Sequence, residues 1–310
     1  MKLSVVIPTY SCPALLQGTL EALSNQTISK SEFEVIICDD GSTCDNQAIV
    51  AMFSHKLNVQ YLWQEDRGFR AGEARNKGVE QSCSPLILFL DSGVLPHQQA
   101  LEHHIQIHNT HQNRVIIGYV YGYMSDYLDQ AWGIKSSADL SDFVISPYNV
   151  ANTIRALKFN LIMDVREGRY LRYGDRIQEW EVPYDIFWTC HVSMTKRTFQ
   201  QAGGFNTRFN EWGGEDFELG VRLHQQGVQW SLNRECCSIH LPHKHEVKNE
   251  QAKKQRIRKC IASVVEEHAN TELDWYRKAL DVQSDHIDVN GFAMSSKIRQ
   301  LKKQDLGECA

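Results

Sequence analysis

The sequence predicts an α/β protein, a single domain whose mostly parallel central sheet is flanked by helices and followed by a helical C-terminal tail. Short apolar, β-branched runs alternate with segments of helical periodicity through the first hundred-odd of the 310 residues. This rhythm is typical of strand–helix–strand crossover units. The composition is that of an ordinary globular protein, at 42% hydrophobic and 23% charged residues, which argues against disorder or a fibre.

The first half of the chain contains the clearest elements. Leu3 to Ile7 is a β-branched run and predicts a buried strand that ends at Pro8, because proline cannot donate to the ladder of a central strand. Further strands are predicted at 33–38, 59–63 and 86–90, with helices at 13–24, 46–53 and 71–81.

The pattern changes beyond Val115. The stretch 125–183 has scattered aromatic residues and few clear periods, so we expect it to be irregular. The remaining predicted elements are a strand at 115–123, a helix at 213–226, a strand at 235–239 and a charged helical tail from 248 to about 280.

Charge and cysteine content limit the class of protein. Lys and Arg number 33 and Asp and Glu 38, so the formal net charge is −5, which argues against a dedicated nucleic-acid binder. Nine cysteines without any Cys-x-x-Cys spacing indicate a reduced chain.

No apolar run is long enough for a membrane span and no signal peptide is recognisable, so we expect a cytoplasmic protein. The tail is interpreted as a packing helix, and the alternative is a helix that binds a partner or makes peripheral contact with a membrane surface.

Polar residues follow three predicted strands at their carboxyl ends, where ligands of parallel sheets bind. A carboxylate just past a strand can accept a hydrogen bond from a nucleobase or a ribose hydroxyl, although Asp-Gly turns are also common without a ligand. The candidates are Pro8 and Thr9, then Asp40 in Asp-Asp-Gly-Ser, then Asp91 in Asp-Ser-Gly.

A basic run between glycines at 68–78 opens a predicted helix. Arg70 and Arg75 could contact a phosphate there, since amide donors and guanidinium groups combine near a helix N-terminus. The run has neither the Gly-x-Gly-x-x-Gly of a dinucleotide site nor the P-loop spacing. A solvated helix face is the alternative interpretation.

The most specific segment is Glu-Trp-Gly-Gly-Glu-Asp-Phe-Glu at 211–218. The indole of Trp212 can pack on a pyranose ring, and Gly213 lets the backbone approach a sugar closely. Glu215 and Asp216 open a predicted helix, which favours their ionised forms and makes one of them a candidate general base. Helix capping is the alternative role for such acids.

Histidines mark two further segments. His240, His243 and His245 fall within six residues after a predicted strand, a spacing that suggests a metal or phosphate contact. His104 and His108 lie one helical turn apart, but no second ligand element accompanies them, so we expect a packed or solvated helix there.

Taken in this order, the segments resemble the nucleotide-sugar glycosyltransferases of family 2. That family's pattern is Val-Ile-Pro-Thr-Tyr-Asn, Asp-Asp-Gly-Ser, Ala-Arg-Asn-x-Gly and Leu-Asp-x-Asp, and residues 3–96 follow it. Residues 189–250 also resemble the carboxyl-terminal part of β-1,4-galactosyltransferases, with Gly-Phe-Asn at 204–206, Trp-Gly-Gly-Glu-Asp at 212–216 and Lys-Asn-Glu at 248–250. The resemblance implies a glycosyltransferase A-type fold. It divides the chain into a nucleotide-sugar-binding half at 1–115, an acceptor-binding and catalytic half at 116–247 and a helical extension at 248–310.

The resemblance also implies roles for the donor-site residues. Pro8, Thr9 and Asp40 would line the uridine pocket of a nucleotide-sugar donor. Arg75 would lie near the diphosphate or brace the aspartates, and Arg70 of the same basic run belongs to the predicted donor site.

For the reaction itself, the resemblance makes Asp216 the catalytic base. Glu215 would hold the donor sugar or position the acceptor. Trp212 and Gly213 would face the sugar and the acceptor.

The implied metal site departs from the family's pattern. Asp91 would contact ribose or, together with His243, a Mn²⁺ or Mg²⁺ ion, but Gly93 stands where the family has its second acid. Three outcomes follow: Asp91 and His243 hold the ion with diphosphate oxygens and water, the enzyme works without metal, or it is weakened or inactive. A hard cation bound through substrate phosphate often uses only one or two carboxylates, so the first outcome is favoured.

The predicted function is inverting transfer of a sugar from a nucleoside diphosphate, UDP by resemblance, to a hydroxyl acceptor such as a glycan. One alternative, motivated by Gly93, is a nucleotide-binding, non-catalytic protein on a decayed glycosyltransferase scaffold. Another is a nucleotidyltransferase, although no triphosphate loop follows the first strand.

Several aromatic residues could stack on an acceptor sugar or belong to the core. They are Trp132, Tyr148, Tyr173, Trp180, Tyr184 and Trp188.

Overall fold

The structure is a computed structural model. It describes residues 2–122 except 112, residues 148–241 except 212, residue 243 and residues 250–268. The strands are β1 Leu3–Thr9, β2 Phe33–Asp39, β3 Val59–Trp63, β4 Leu86–Leu90, β5 Val94–Pro96, β6 Arg114–Tyr121, β7 His191–Thr195 and β8 Gln229–His240. The helices are α1 Pro13–Ser24, α2 Asn46–Ala51, α3 Ala71–Gln81, α4 Ala100–Thr110, α5 Val150–Phe159, α6 Glu167–Tyr173, α7 Lys196–Gln201, α8 Glu215–Gln225 and α9 Glu250–Glu267. Short 3₁₀ helices cover Ile177–Glu179 and Pro183–Ile186.

The eight strands form one sheet in the order β3-β2-β1-β4-β7-β6-β8-β5. Strands β3, β2, β1 and β4 are parallel neighbours, as the crossover rhythm predicts, and β6 is parallel to β8. β7 runs antiparallel to β4 and β6, and β5 antiparallel to β8. The predicted α/β class with a mostly parallel sheet is therefore confirmed. Because β7 is reversed, its first residue, His191, pairs with the last residue of β4, Leu90.

The central strands are buried on both faces. Val6 of β1 and Phe89 of β4 pack in one apolar cluster with residues of α3, whereas Val5 and Leu88 pack in a second cluster with residues of α1. Two buried faces explain why these strands are continuous apolar runs instead of alternating ones.

The prediction that β1 ends before Pro8 is wrong, because the strand continues through Thr9. Pairing with β4 ends at Val6. Thr9 O accepts a hydrogen bond from Asp40 N on the β2 side (2.9 Å), so the preceding Pro8 faces the β4 side, where no ladder donor is needed. The Pro8 carbonyl instead accepts from Ser92 Oγ at 3.0 Å.

The expectation of an irregular stretch at 125–183 is wrong for its second part. α5, α6 and both 3₁₀ helices form there, while residues 123–147, with Trp132, lie outside the described residues. α5 buries Val150, Ile154 and Leu157 on one face. These three residues have the spacing of a helical period, and the sequence analysis missed this helix even though its apolar face is regular.

Other differences concern the second half of the sheet. β8 begins at Gln229, six residues before the predicted strand, because its polar first half pairs with β6. The tail helix is present as α9, and residues 269–310 lie outside the described part. None of the helices that the structure describes combines the length and apolar character needed to traverse a bilayer.

His104 and His108 of α4 are packed in the core, which is one of the two alternatives predicted for them. His104 Nδ1 lies 2.8 Å from Ser193 Oγ, and His108 Nε2 lies 2.9 Å from the same hydroxyl. His104 Nε2 lies 3.0 Å from His191 Nε2 on β7. Burial lowers the pKa of His108 to about 4 and that of His191 to about 3. These imidazoles are therefore neutral near pH 7.

Candidate active site

Three predicted donor-site segments meet at one edge of the sheet. The backbone bond from Asp40 to Thr9 joins the ends of β1 and β2, and the bond from Ser92 Oγ to Pro8 joins β1 to the turn after β4. Pro8, Thr9, Asp40 and Asp91 therefore lie along the carboxyl ends of neighbouring parallel strands. Binding sites of parallel sheets form at such edges.

Asp40 is a buried carboxylate held by the segment that follows β3. It accepts hydrogen bonds from Gln64 Nε2 (2.5 Å) and from the backbone N–H of Arg70 (2.6 Å). The Arg70 guanidinium lies 3.7 Å from Asp40 Oδ1, the same oxygen that accepts from Gln64. Burial raises the pKa of Asp40, against the lowering effect of the bonds from Gln64 and Arg70. The sequence analysis did not identify Gln64, and only its position just after a strand could have indicated it.

The neighbouring Asp39 has a structural role. Its carboxylate accepts from the backbone N–H groups of Gly41 and Ser42 and from the side chains of Asn46 and Tyr61, at 2.7–3.1 Å. These bonds shape the turn after β2 and leave Asp40 as the carboxylate at the sheet edge.

Arg75 on α3 connects the two halves of the site. Its Nη2 donates to Asp91 Oδ1 at 2.7 Å, and its Nη1 lies 4.0 Å from Glu215 Oε1. Burial opposes the charge of Arg75, but Asp91, Asp216 and Glu215 together raise its pKa. Its Nε and Nη1 are buried without a hydrogen-bond partner in the structure. Arg75 is thus a fixed cation with donors to spare.

Glu215 and Asp216 occupy the first turn of α8. The chain enters this helix through Gly213 and Gly214 at φ +88° and +111°, backbone conformations that favour glycine. Asp216 accepts from both the hydroxyl (Oδ1, 2.6 Å) and the backbone N–H (Oδ2, 3.0 Å) of Thr189. Glu215 is buried, and its Oε2 has no hydrogen-bond partner in the structure.

The two carboxylates differ in environment. Burial raises the pKa of Glu215, and the adjacent charge of Asp216 raises it further, against the opposing effect of Arg75. Burial also raises the pKa of Asp216, while Arg75 and both hydrogen bonds from Thr189 oppose that rise. Burial therefore opposes the ionisation of both carboxylates, and at Asp216 the hydrogen bonds from Thr189 offset part of this effect. Such a pair can combine a base with a neutral hydrogen-bonding acid.

Thr189 is a site residue that sequence analysis did not predict. It immediately precedes Cys190, whose carbonyl accepts from the backbone N–H of Asp91 at 3.1 Å. The antiparallel pairing of β7 with β4 therefore places Thr189 between Asp91 and Asp216. No local pattern around Thr189 signalled this role.

Gly93 lies in a turn whose backbone conformation favours glycine. Gly93 has φ +90°, and a Cβ there would lie 3.2 Å from Leu15 Cδ2. Its N–H donates to Thr19 Oγ1 at 2.9 Å, and its carbonyl accepts from Leu241 N at 2.8 Å. This backbone is poorly suited to the aspartate that the family pattern has at the same position.

The donor set of Asp91 and His243 fits a divalent cation. Asp91 keeps 30% of its side chain exposed beside its bond to Arg75, and Leu241 at the end of β8 is bonded to the same turn two residues before His243. Carboxylate and imidazole are both ligands of Mn²⁺, with the rest of the shell left to phosphate and water.

A second cluster of metal-type side chains occurs among the described residues at Glu218, Glu267 and His268. Arg222 pairs with Glu218 and Arg208 with Glu267, so arginines already neutralise both carboxylates. His268 Nε2 lies 2.8 Å from Glu218 Oε1. We interpret this cluster as the contact that holds α9 against α8.

The aromatic residues proposed for the acceptor site divide by burial. Trp180 and Tyr184 are buried core residues, so their predicted stacking role is not supported. Trp188 is half-buried beside Thr189, with the guanidinium carbons of Arg166 and Arg169 at 5.2 and 5.8 Å from its ring centroid. Tyr148 is exposed and Tyr173 half-buried, and Trp212 lies outside the described residues.

Two family models match the sequence. The model described as glycosyl transferase family 2 matches residues 4–177. The model described as N-terminal domain of galactosyltransferase matches residues 176–246, which include Glu215 and Asp216.

Curated relatives agree with these matches. The validoxylamine A glucosyltransferase of Streptomyces hygroscopicus subsp. limoneus is 35% identical over 243 residues, which cover 78% of this chain and 52% of the relative. The hyaluronan synthase of Pasteurella multocida is 29% identical over 234 residues, covering 73% of this chain and 23% of the relative. The chain thus spans about half the length of the first relative and less of the second.

Solved structures share the fold. Staphylococcus aureus TarS 1–349 aligns with a TM-score of 0.60 at 16% identity, covering 99% of this chain and 79% of that one. A mannosyltransferase from Pyrobaculum calidifontis, solved with GDP-Man and Mn²⁺, aligns with a TM-score of 0.58 at 14% identity, covering 100% and 76%. Since the family model covers more than half of the sequence and a relative exceeds 30% identity, this chain belongs to glycosyl transferase family 2.

Proposed function

We propose that the chain transfers a sugar from a UDP donor to a hydroxyl acceptor, a glycan, with inversion at the anomeric carbon. One observation carries this proposal: at the carboxyl ends of the strands, Arg75 donates to Asp91 and lies 4.0 Å from Glu215, which directly precedes Asp216. In this proposal Asp216 is the base and Arg75 is a fixed cation for the leaving diphosphate, while buried Glu215 lies 4.0 Å from Arg75.

The donor occupies the edge formed by Pro8, Thr9 and Asp40 in this proposal. Asp40, positioned by Gln64 and Arg70, accepts a hydrogen bond from the uracil or ribose. TarS has been solved with UDP and with UDP-GlcNAc, which supports a uridine nucleotide as the first donor to test.

Asp216 acts as the base. It takes the proton from the acceptor hydroxyl as that oxygen bonds to the anomeric carbon, while the bond from that carbon to the diphosphate oxygen breaks on the opposite face. UDP leaves with the bonding electron pair, and the configuration inverts. Thr189 holds Asp216 in place, and the partnerless Oε2 of buried Glu215 is available to a hydroxyl of the donor sugar. Trp212 and Gly213 would flank that sugar.

Asp91 and His243 would hold Mn²⁺ or Mg²⁺ with diphosphate oxygens. The ion supplies positive charge that stabilises the leaving diphosphate. Arg75 contributes a protein-borne charge at the same place, since its donors are only partly used.

The remaining assignments stay predictions. Residues 1–115 would form the nucleotide-sugar half, 116–247 the acceptor half and 248–310 the helical extension. Among the aromatic residues that the structure describes, Trp188 is half-buried and directly precedes Thr189, the residue bonded to Asp216, so we favour it for contact with an acceptor sugar. The cytoplasmic location and the lack of a nucleic-acid partner also remain predictions.

The proposal is tested by transfer assays with a panel of nucleotide sugars, each with Mn²⁺ and with chelator. Asp216→Asn should reduce transfer by about 10²–10⁴-fold, the usual contribution of a general base, and leave UDP binding by calorimetry intact. Glu80→Gln, an exposed acid on α3, is the matched control and should behave like wild type.

Two results would contradict the proposal. Undiminished transfer by Asp216→Asn would remove its base. UDP binding without turnover of any donor would favour the alternative, a nucleotide-binding protein on a decayed scaffold, which the unusual Gly93 motivates.

A further inference from the structure

The end of α5 breaks a local rule of helix termination. Leu161 N donates to Lys158 O (3.1 Å) and Ile162 N to Leu157 O (2.9 Å), the two bonds of a Schellman motif that follows Asn160. Leu161 therefore occupies the left-handed position, at φ +58°. Glycine usually occupies this position because a side chain is strained there. A leucine at this place indicates that its side chain has a use.

The side chains at this helix end are unusually exposed. Phe159 has 88% of its surface exposed, the most of any large apolar side chain in the described part of the chain, and Leu161 has 63% exposed. Only Asn160 separates the two residues in the sequence, and we call this pair of exposed apolar side chains at the end of α5 the apolar projection. Such a projection is costly in water and suits insertion into an apolar phase.

The charged residues in the stretch of sequence that contains this projection are all basic. Residues 148–163 contain no Asp or Glu, and their cations are Arg155 and Lys158, both exposed. Arg155 lies one helical turn before Phe159, and Lys158 lies directly before it. The chain as a whole carries a net charge of −5, so this basic segment differs from the rest of the protein.

We propose that this α5 tip, formed by Arg155, Lys158, Phe159 and Leu161, docks on the surface of an anionic lipid bilayer. Lipid phosphates would pair with the two cations, and the acyl boundary would receive the two apolar side chains. A bilayer would satisfy both at once, because its acyl boundary accepts apolar side chains and its anionic headgroups pair with cations. A protein partner would need a matching acidic-rimmed pocket, and nothing in the structure calls for one.

The test is co-sedimentation of the full chain with vesicles of phosphatidylcholine, alone or mixed with phosphatidylglycerol. Wild type should bind the anionic vesicles, bind the neutral ones weakly, and dissociate as salt is raised. The double variant Phe159→Ser, Leu161→Gly should bind about tenfold or more weakly, since two apolar side chains are lost.

Leu161→Gly also serves as a folding control. Glycine fits the left-handed position, so this substitution should leave Tm unchanged or raise it while weakening vesicle binding. Met52→Ser, which removes an exposed apolar side chain on another part of the surface, should bind like wild type.

Three results would overturn the proposal. They are no binding of wild type to anionic vesicles, undiminished binding by the double variant, or an equal loss in Met52→Ser. Binding to a protein partner without vesicle binding would assign the α5 tip to that partner instead.

Discussion

Replacing Thr189 with valine tests whether Thr189 controls the ionisation of Asp216. Valine keeps the shape of the side chain but removes the 2.6 Å bond from Oγ1 to Asp216 Oδ1, while the backbone N–H still donates to Oδ2. A hydrogen bond to a charged group contributes about 1.5–3 kcal/mol. Because one pKa unit corresponds to about 1.4 kcal/mol, the pKa of Asp216 should rise by about 1–2 units.

The assay is the pH dependence of kcat/KM for sugar transfer. A base must be ionised to act, so activity falls as pH drops through its pKa. A higher pKa of Asp216 in Thr189→Val therefore moves the acid limb of the profile to higher pH by about 1–2 units. At alkaline pH, where Asp216 is ionised in both proteins, the rates should approach each other.

Thr189→Ser is the matched control, because it retains the hydroxyl and should retain the wild-type profile. Carboxyl NMR of Asp216 measures the same pKa without relying on turnover. A uniform loss of rate at all pH values, with the acid limb in place, would refute the argument and restrict Thr189 to positioning.

Two further predictions concern stability. Gly93→Asp should lower the free energy of unfolding by about 1–3 kcal/mol in denaturant titrations, since the left-handed backbone and Leu15 oppose a side chain; unchanged stability would show that this turn relaxes freely. The buried His104, His108 and His191 have folded pKa values below the unfolded value of about 6.5, so their contribution is complete above that pH. Below it, stability should fall by up to about 1.4 kcal/mol per pH unit for each histidine until the folded pKa is reached. Urea unfolding between pH 7.5 and 5 measures this slope, and His108→Gln should reduce it.

Local patterns predicted much of the first half of the fold. The bounds of β3, β4, α1 and α3 agree with the structure. β4 is a continuous apolar run, and α1 has Leu16, Leu20 and Leu23 at helical spacing. The predicted β1 was too short because proline was expected to end the strand. The strand accommodates Pro8 because the pairing with β4 already ends at Val6. That end is a property of two strands and cannot be read from one.

The second half was harder to predict for the same reason. β5 has only three residues, too few for a period to be recognised, and β7 has His191, Ser193 and Thr195 among its five residues, so it does not form an apolar run. The polar start of β8 forms a strand because β6 pairs with it. Trp180 and Tyr184 were candidate sugar platforms in the sequence, and only burial showed that they belong to the core.

Sequence alone determined the α/β class, the family and the identity of the candidate residues Asp40, Asp91, Glu215 and Asp216, because turn chemistry and motif spacing are local. Tertiary structure decided how they act together. Arg75 contacts Asp91 and approaches Glu215, 140 residues further along the chain, and Thr189 holds Asp216 only because β7 lies antiparallel to β4. Contacts between distant segments depend on strand order, and burial then raises the pKa values of Glu215 and Asp216.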